Sequence, residues 1–230
     1  MVHYLIEFRF HGYARQYSKN LIYTISRIFK VRGVTRKRAV PHVTLFGPFR
    51  CRNERLLTSK IVNACSPYEL IPFRVKGFGY FNNPTNKKVV YMNIESSEKL
   101  KELRRSIAKK LLKTTHTVSS FDRKYNFEFH ATLAFKDIDK KFKSIKTFLN
   151  RQQIPNINQH LLRITVLKGK KILFEYDLLQ KKTLTRREAK NRKIWSRTIN
   201  QLKSKTSSFS QDIDNKTQLE KIKDFVKWYI

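Results

Sequence analysis

One short signature occurs twice in this chain. It reads His42-Val43-Thr44-Leu45-Phe46 in the first half and His130-Ala131-Thr132-Leu133-Ala134-Phe135 in the second, with the histidines 88 residues apart. Each copy sits in an apolar run, and a strand turns residues i and i+2 to the same face. Each copy therefore sets an imidazole beside a hydroxyl, while Val43 and Leu45, or Ala131 and Leu133, point into the protein. A proton carrier beside a hydrogen-bond donor, supplied twice, suits acid–base chemistry at a phosphate. A single histidine in a strand is more often structural than catalytic. The pair gains meaning only if the fold brings the copies together.

The flanking sequence supplies a reason for that. Residues 2–10 alternate, with Val2, Tyr4, Ile6, Phe8 and Phe10 on one face of a strand. A helix over 14–31 carries Tyr17, Leu21, Ile25 and Ile28, and the basic loop 34–38 leads into the first motif strand at 39–47. A helix at 53–65 turns Leu56, Leu57, Ile61 and Ala64 inward; strands at 68–80 and 87–95 form a hairpin about Asn82-Asn83-Pro84-Thr85-Asn86. The order then repeats. Ser97 caps a helix over 98–113, the second motif strand spans 127–135, a helix covers 138–150, and strands follow at 160–168 and 171–178. Aligned on the histidines, 2–10 matches 87–95, 14–31 matches 98–113, and 53–65 matches 138–150. This is an internal structural repeat with halves of about 2–86 and 87–178. A pseudo-twofold between two lobes would set His42 and His130 face to face.

Charge narrows the class of partner. The chain has 50 Lys and Arg against 17 Asp and Glu, a net of +33, and the excess runs through the first 180 residues as well as the remainder. A polyanion, RNA or DNA, is the expected partner, the plain alternative being a solvated basic surface. Cys51 and Cys65 form no Cys-x-x-Cys pair, which argues against a disulfide framework and a thiolate zinc site. The N-terminus lacks a signal peptide, and no apolar run is long enough to span a membrane. The expectation is a soluble cytoplasmic monomer with no metal and no cofactor. Residues 181–230 read as a basic helical extension to the domain at 1–180. In it, capping boxes at Thr185-Arg186-Arg187-Glu188 and Thr217-Gln218-Leu219-Glu220 open helices on either side of a polar linker at 204–216. The apolar stripes of those helices call for burial, and their charge offers a surface for RNA.

The two His-x-Thr copies in this strand context resemble the 2H phosphoesterase superfamily, in particular its 2′-5′ RNA ligase-like branch. The resemblance covers about residues 2–180 and rests on His42/Thr44/Leu45 and His130/Thr132/Leu133. The close of the domain, Glu175-Tyr176-Asp177-Leu178 before a basic stretch, is similar as well. It implies an α+β fold, bilobal and pseudo-twofold, with two antiparallel sheets flanking a central cleft, helices outside, and C-terminal helices added. It also implies metal-independent opening of RNA 2′,3′-cyclic phosphate ends to a 2′-phosphate, with 2′-5′ ligation of RNA such as tRNA halves as a related activity.

The residues fit that chemistry on their own terms. Two imidazoles near pKa ~6.5 can share the roles of base and acid at neutral pH. His130 is read as acid toward the 3′ oxygen and His42 as base, though the sequence does not decide between that and the reverse. Thr44 and Thr132 would donate to the non-bridging oxygens. Phe46, which shares the His42 face by alternation, Phe81 and Tyr91 are candidates to contact the base; Phe135 is a weaker one, being assigned to the core. Arg38, Lys136 and Arg50 flank the motifs and could touch phosphate. His3, His11, His116 and His160 are read as structural, and a zinc site built from His42, His130 and one of these lacks close ligand spacing. The competing class is a non-catalytic RNA-binding protein, acting on tRNA or rRNA through its charge.

Overall fold

The computed structural model describes residues 2–35, 39–81, 88–115 and 120–209, the side chains of 207–209 excepted. In chain order the elements are β1 (Tyr4–Arg9), α1 (Gly12–Phe29), β2 (His42–Phe49), α2 (Glu54–Cys65), β3 (Ile71–Phe81), β4 (Val89–Ser96), α3 (Glu98–Leu112) and α4 (Ser120–Arg123). They continue as β5 (His130–Phe135), a short 3-10 turn, α5 (Phe142–Asn150), β6 (Asn156–Leu161), β7 (Arg163–Lys168), β8 (Lys171–Asp177), β9 (Lys182–Thr185), α6 (Arg186–Ala189) and α7 (Arg192–Phe209). The strands make two antiparallel sheets, in the orders β2-β1-β7-β8-β9 and β5-β4-β3-β6. The chain is α+β, as expected.

The repeat is written into both sheets. β2, β1 and β7 occupy in the first sheet the places that β5, β4 and β3 occupy in the second. β3 of the first half pairs with the opening strand of the second, and β7 of the second with the opening strand of the first, so the halves interlock rather than sit side by side. The 160–168 strand is in fact two. β6 ends at Leu161 in one sheet and β7 starts at Arg163 in the other, with buried Leu162 as the crossing point.

Local chemistry explains the helices. Ser97 caps α3 through its hydroxyl, which accepts from the Leu100 amide, and Leu100, Leu103, Ile107 and Leu111 are buried. Asn53 caps α2 in the same way, accepting from the Leu56 amide. Two stripes differ from the reading. α1 buries Ala14, Ser18, Leu21, Ile22 and Ile25 while Ile28 faces solvent, and Leu56 on α2 is exposed. Tyr4, Ile6, Phe8 and Phe10 of the first strand enter a core shared with Val43, Leu45, Leu133 and Val166.

By contacts the chain divides into units at 1–186 and 187–230. Residues 182–185, assigned from sequence to the helical extension, form β9 and pair with β8 in the first unit. The box at Thr185 opens only the single turn of α6; the long helix α7 starts at Arg192, where the Asn191 side chain accepts from the Lys193 and Ile194 amides. α7 also runs through the first part of the stretch read as a linker. The helix expected after 217, the turn at 82–86, His116 and Arg38 lie outside the described residues. No helix among the described residues is long and apolar enough to cross a membrane.

Candidate active site

β2 and β5, one from each sheet, lie against each other, and the charge of His42 acts on His130. The two motifs therefore come together, and the match extends to atoms. His42 Nδ1 lies 2.8 Å from the Val40 carbonyl, and His130 Nδ1 lies 3.0 Å from the Glu128 carbonyl. A carbonyl oxygen only accepts, so each Nδ1 carries the hydrogen and each Nε2 is the nitrogen left able to take up a proton. In both cases the anchor is the residue two positions upstream.

The strands share a second irregularity. Ile6 pairs with Phe46 but Glu7 pairs with Thr44, leaving Leu45 as the extra residue of a β-bulge. Val90 pairs with Ala134 but Tyr91 with Thr132, leaving Leu133 in the same place. A bulge breaks the two-residue alternation, so side chains beyond it change face. Phe46, expected beside His42, is instead 0% exposed and packs edge-on against Phe49, with ring centroids 5.3 Å apart. It cannot stack on a base. Phe135, expected in the core, is half-buried, with the Lys136 amine 4.8 Å from its ring. Thr44 and Thr132 precede the bulges and stay on the histidine face, half-buried and with no hydroxyl partner among the described residues.

The His42 half of the site is built from charge. Arg9 on β1 lies opposite His42, and Glu7 lies opposite Thr44. Glu7 is only 2% exposed; its Oε1 accepts from Arg9 Nε at 2.8 Å and its Oε2 stands 3.7 Å from His42 Nε2. Arg9 Nη1 is 3.8 Å from Glu175, Arg163 Nη1 is 3.5 Å from the other oxygen of Glu175, and Arg163 Nε donates to Asp177 at 2.8 Å. Thr165, between Glu7 and Glu175 in the sheet, donates its hydroxyl to Glu175 at 2.9 Å. Burial pushes the Glu175 carboxyl up, while Arg9, Thr165 and Arg163 pull it back. With its carboxylates ionised, the row His42–Glu7–Arg9–Glu175–Arg163–Asp177 alternates in sign and is neutral when His42 is protonated. Buried charges are costly unless paired, and each buried charge of the row has an opposite charge beside it.

The His130 half is built from rings. Phe81 and Tyr91 each stand 5.0 Å from the His130 ring, and 4.4 Å from each other. Tyr91, buried and opposite Thr132, donates its hydroxyl to the Glu128 carboxylate at 2.5 Å. Glu128 thus holds the ring with its side chain and the histidine with its backbone. Gly79 makes the fit feasible, since a Cβ there would come within 2.3 Å of the Tyr91 ring and 2.5 Å of the Asn93 side chain. Burial pushes the His130 imidazole below the ordinary histidine range; the Glu128 hydrogen bond and charge oppose this and the His42 charge adds to it.

Lys136 follows the end of β5, six positions and roughly 20 Å of extended chain from His130, so the strand carries it away from the histidines. Glu7, Arg9, Glu128 and Gly79 are the residues the motif search missed. The signal for the first two was present: Glu7 and Arg9 alternate with the buried face of the first strand, and only the pairing with β2 reveals what their own face meets. Among the described residues no group of three His, Cys, Asp or Glu side chains converges to hold a metal ion.

No curated protein matches the sequence. Among solved structures the chain is similar to Usb1 of Kluyveromyces marxianus with uridine monophosphate, at 12% identity and TM-score 0.47 over 80% of this chain and 98% of that one. It is also similar to TT0787 of Thermus thermophilus, at 13% identity and TM-score 0.49 over 77% and 98%. The family model of the 2′-5′ RNA ligase superfamily matches residues 22–168, which take in both His-x-Thr strands, and the chain belongs to that superfamily, within the 2H phosphoesterases.

Proposed function

We propose that this protein opens RNA 2′,3′-cyclic phosphate ends to a 2′-phosphate by two-histidine acid–base catalysis. The observation that carries the reading is the matched pair of Nδ1–carbonyl hydrogen bonds, His42 to Val40 and His130 to Glu128, in strands that meet. They dedicate both Nε2 atoms to proton exchange, one beside each unpartnered threonine hydroxyl.

The surroundings separate the roles, and in the sense opposite to the sequence reading. His130 is held toward its neutral form by burial and by the charge of His42, which suits a base. His42 has the Glu7 carboxylate as counter-charge to its imidazolium, which suits an acid. His130 Nε2 takes a proton from water as the oxygen–phosphorus bond forms. His42 Nε2 gives its proton to O3′ as the phosphorus–O3′ bond breaks. The product carries a 2′-phosphate and a free 3′ hydroxyl. Thr44 and Thr132 donate to the non-bridging oxygens as charge builds there, and Arg9, opposite His42, adds positive charge. The same groups would serve 2′-5′ joining, with an RNA 5′ hydroxyl in place of water.

Incubation with a nucleoside 2′,3′-cyclic phosphate in EDTA tests this. The expected result is a single 2′-phosphate product with a bell-shaped pH profile. Tight retention of RNA with no product under any condition would establish the non-catalytic binder instead.

A further inference from the structure

We propose that the segment 121–128 is a landing strip for single-stranded RNA, leading the strand 5′ of the cyclic end into the catalytic pair. The proposal rests on the RNA-phosphoesterase reading and adds that the substrate is an oligonucleotide rather than a small cyclic phosphate.

The segment presents two rings to solvent. Tyr125 is 74% exposed, the highest value for a large apolar or aromatic side chain among the described residues, and Phe121 is 55% exposed. Each ring has a cation on it: Arg105 lies 5.0 Å from the Tyr125 ring and the Lys124 amine 4.9 Å from the Phe121 ring. A ring backed by a cation offers its other face to a base. Beside Tyr125 a cavity of about 370 Å³ opens between Glu98, Lys101, Arg104, Arg105, Phe127 and Glu128. Glu98 pairs with Arg105 and Lys101 there, so a phosphate entering the cavity takes the place of that carboxylate, while Lys124 carries no such pair among the described residues.

Exposed rings on a loose loop would mean little, but this segment is fastened from below. Arg104, 2% exposed, donates Nη1 to the Lys124 carbonyl at 2.7 Å and Nη2 to the Phe121 carbonyl at 2.9 Å, with its guanidinium 4.3 Å from the Phe127 ring. Asp122, 3% exposed, accepts from the Gly47 amide with both oxygens at 3.1 Å. A buried arginine and a buried aspartate are an unusual investment in a surface loop. What they hold in place is the backbone under the two exposed rings.

The anchors also tie the strip to both half-sites. Asp122 grips the strand of the first motif at Gly47, and the far end of the segment is Glu128, whose carbonyl holds His130. His130 lies five positions beyond Tyr125, at most ~18 Å of extended chain. A protein partner could also use exposed rings, but the cations on both rings and a net charge of +33 favour a polyanion.

The test is a Phe121→Ala/Tyr125→Ala double variant, assayed on an oligoribonucleotide ending in a 2′,3′-cyclic phosphate and on the corresponding nucleoside 2′,3′-cyclic phosphate. The ratio of kcat/KM for oligonucleotide over nucleoside is expected to fall at least about tenfold, mainly through KM, since stacking on one ring contributes a factor of that order. An unchanged ratio overturns the proposal. Fluorescence anisotropy with an oligoribonucleotide ending in a 3′-phosphate keeps the strip testable if the wild type turns over neither substrate. A loss of about tenfold in affinity supports the strip while the catalytic reading falls; unchanged affinity overturns the strip and assigns the rings to some other partner.

Discussion

The two halves of the site share a backbone device and differ in everything that surrounds it. Both histidines lean on the carbonyl two residues upstream, both threonines follow, and both strands bulge at the next leucine. Around His42 the neighbouring strand supplies Glu7 and Arg9; around His130 the equivalent strand supplies Tyr91 and Asn93. In the proposed mechanism the repeat delivers two equivalent proton carriers and the side chains of β1 and β4 make them unequal, as a base and an acid in opposite states at the start of the reaction must be.

Removing either carrier is the largest break. His42→Ala and His130→Ala should each lower kcat by about 10²–10⁴-fold while leaving the unfolding midpoint close to wild type, as both rings are partly solvated. Full activity in either variant would end the two-histidine reading. Next comes the inequality itself. Glu7→Gln keeps the shape and the Arg9 bond but removes the counter-charge from His42. That charge stands 3.7 Å from His42 Nε2, so kcat near neutrality should fall roughly tenfold with KM changing less. An unchanged kcat would show that Glu7 merely packs.

On the aromatic side the corresponding break is Gly79→Ala. The new Cβ meets the buried Tyr91 ring and the half-buried Asn93 side chain, both on the strand paired with β5, so the shelf under His130 must shift. The expected cost is about 1–3 kcal/mol of stability, read by urea unfolding, with a several-fold loss of kcat. The two effects should appear together. A variant that loses stability and keeps full kcat would mean the rings do not position His130.

How much of this the sequence discloses depends on the kind of signal. The motifs, the order of elements and the Ser97 cap are local patterns, and local patterns survive folding. Phe46 and Phe135 exchanged places because a two-residue alternation is reliable only in an unbroken strand, and a bulge at Leu45 or Leu133 has no marker in an all-apolar run. The crossing at Leu162 is hidden for a similar reason: Leu161-Leu162 reads as a continuous strand, yet the chain changes sheet there. The charged row needed pairing information of another order. Glu7, Thr165 and Glu175 are neighbours only through the register of β1 with β7 and of β7 with β8, elements more than 150 residues apart in the case of Glu7 and Thr165.

The finest test distinguishes the two halves by which limb of the pH profile responds. In Tyr91→Phe the ring beside His130 stays and only the hydroxyl bond to Glu128 is lost, a change of about 1 kcal/mol in stability. The Glu128 carboxylate then keeps its full charge near His130, and that charge favours the imidazolium. A base that holds its proton more tightly becomes active at higher pH, so the acid limb should rise by a few tenths of a unit from its place below 6.5, with the alkaline limb unmoved. If His130 were instead the acid, the same change would move the alkaline limb up and leave the acid limb in place, so the pH profile of Tyr91→Phe decides which half gives the proton and which takes it.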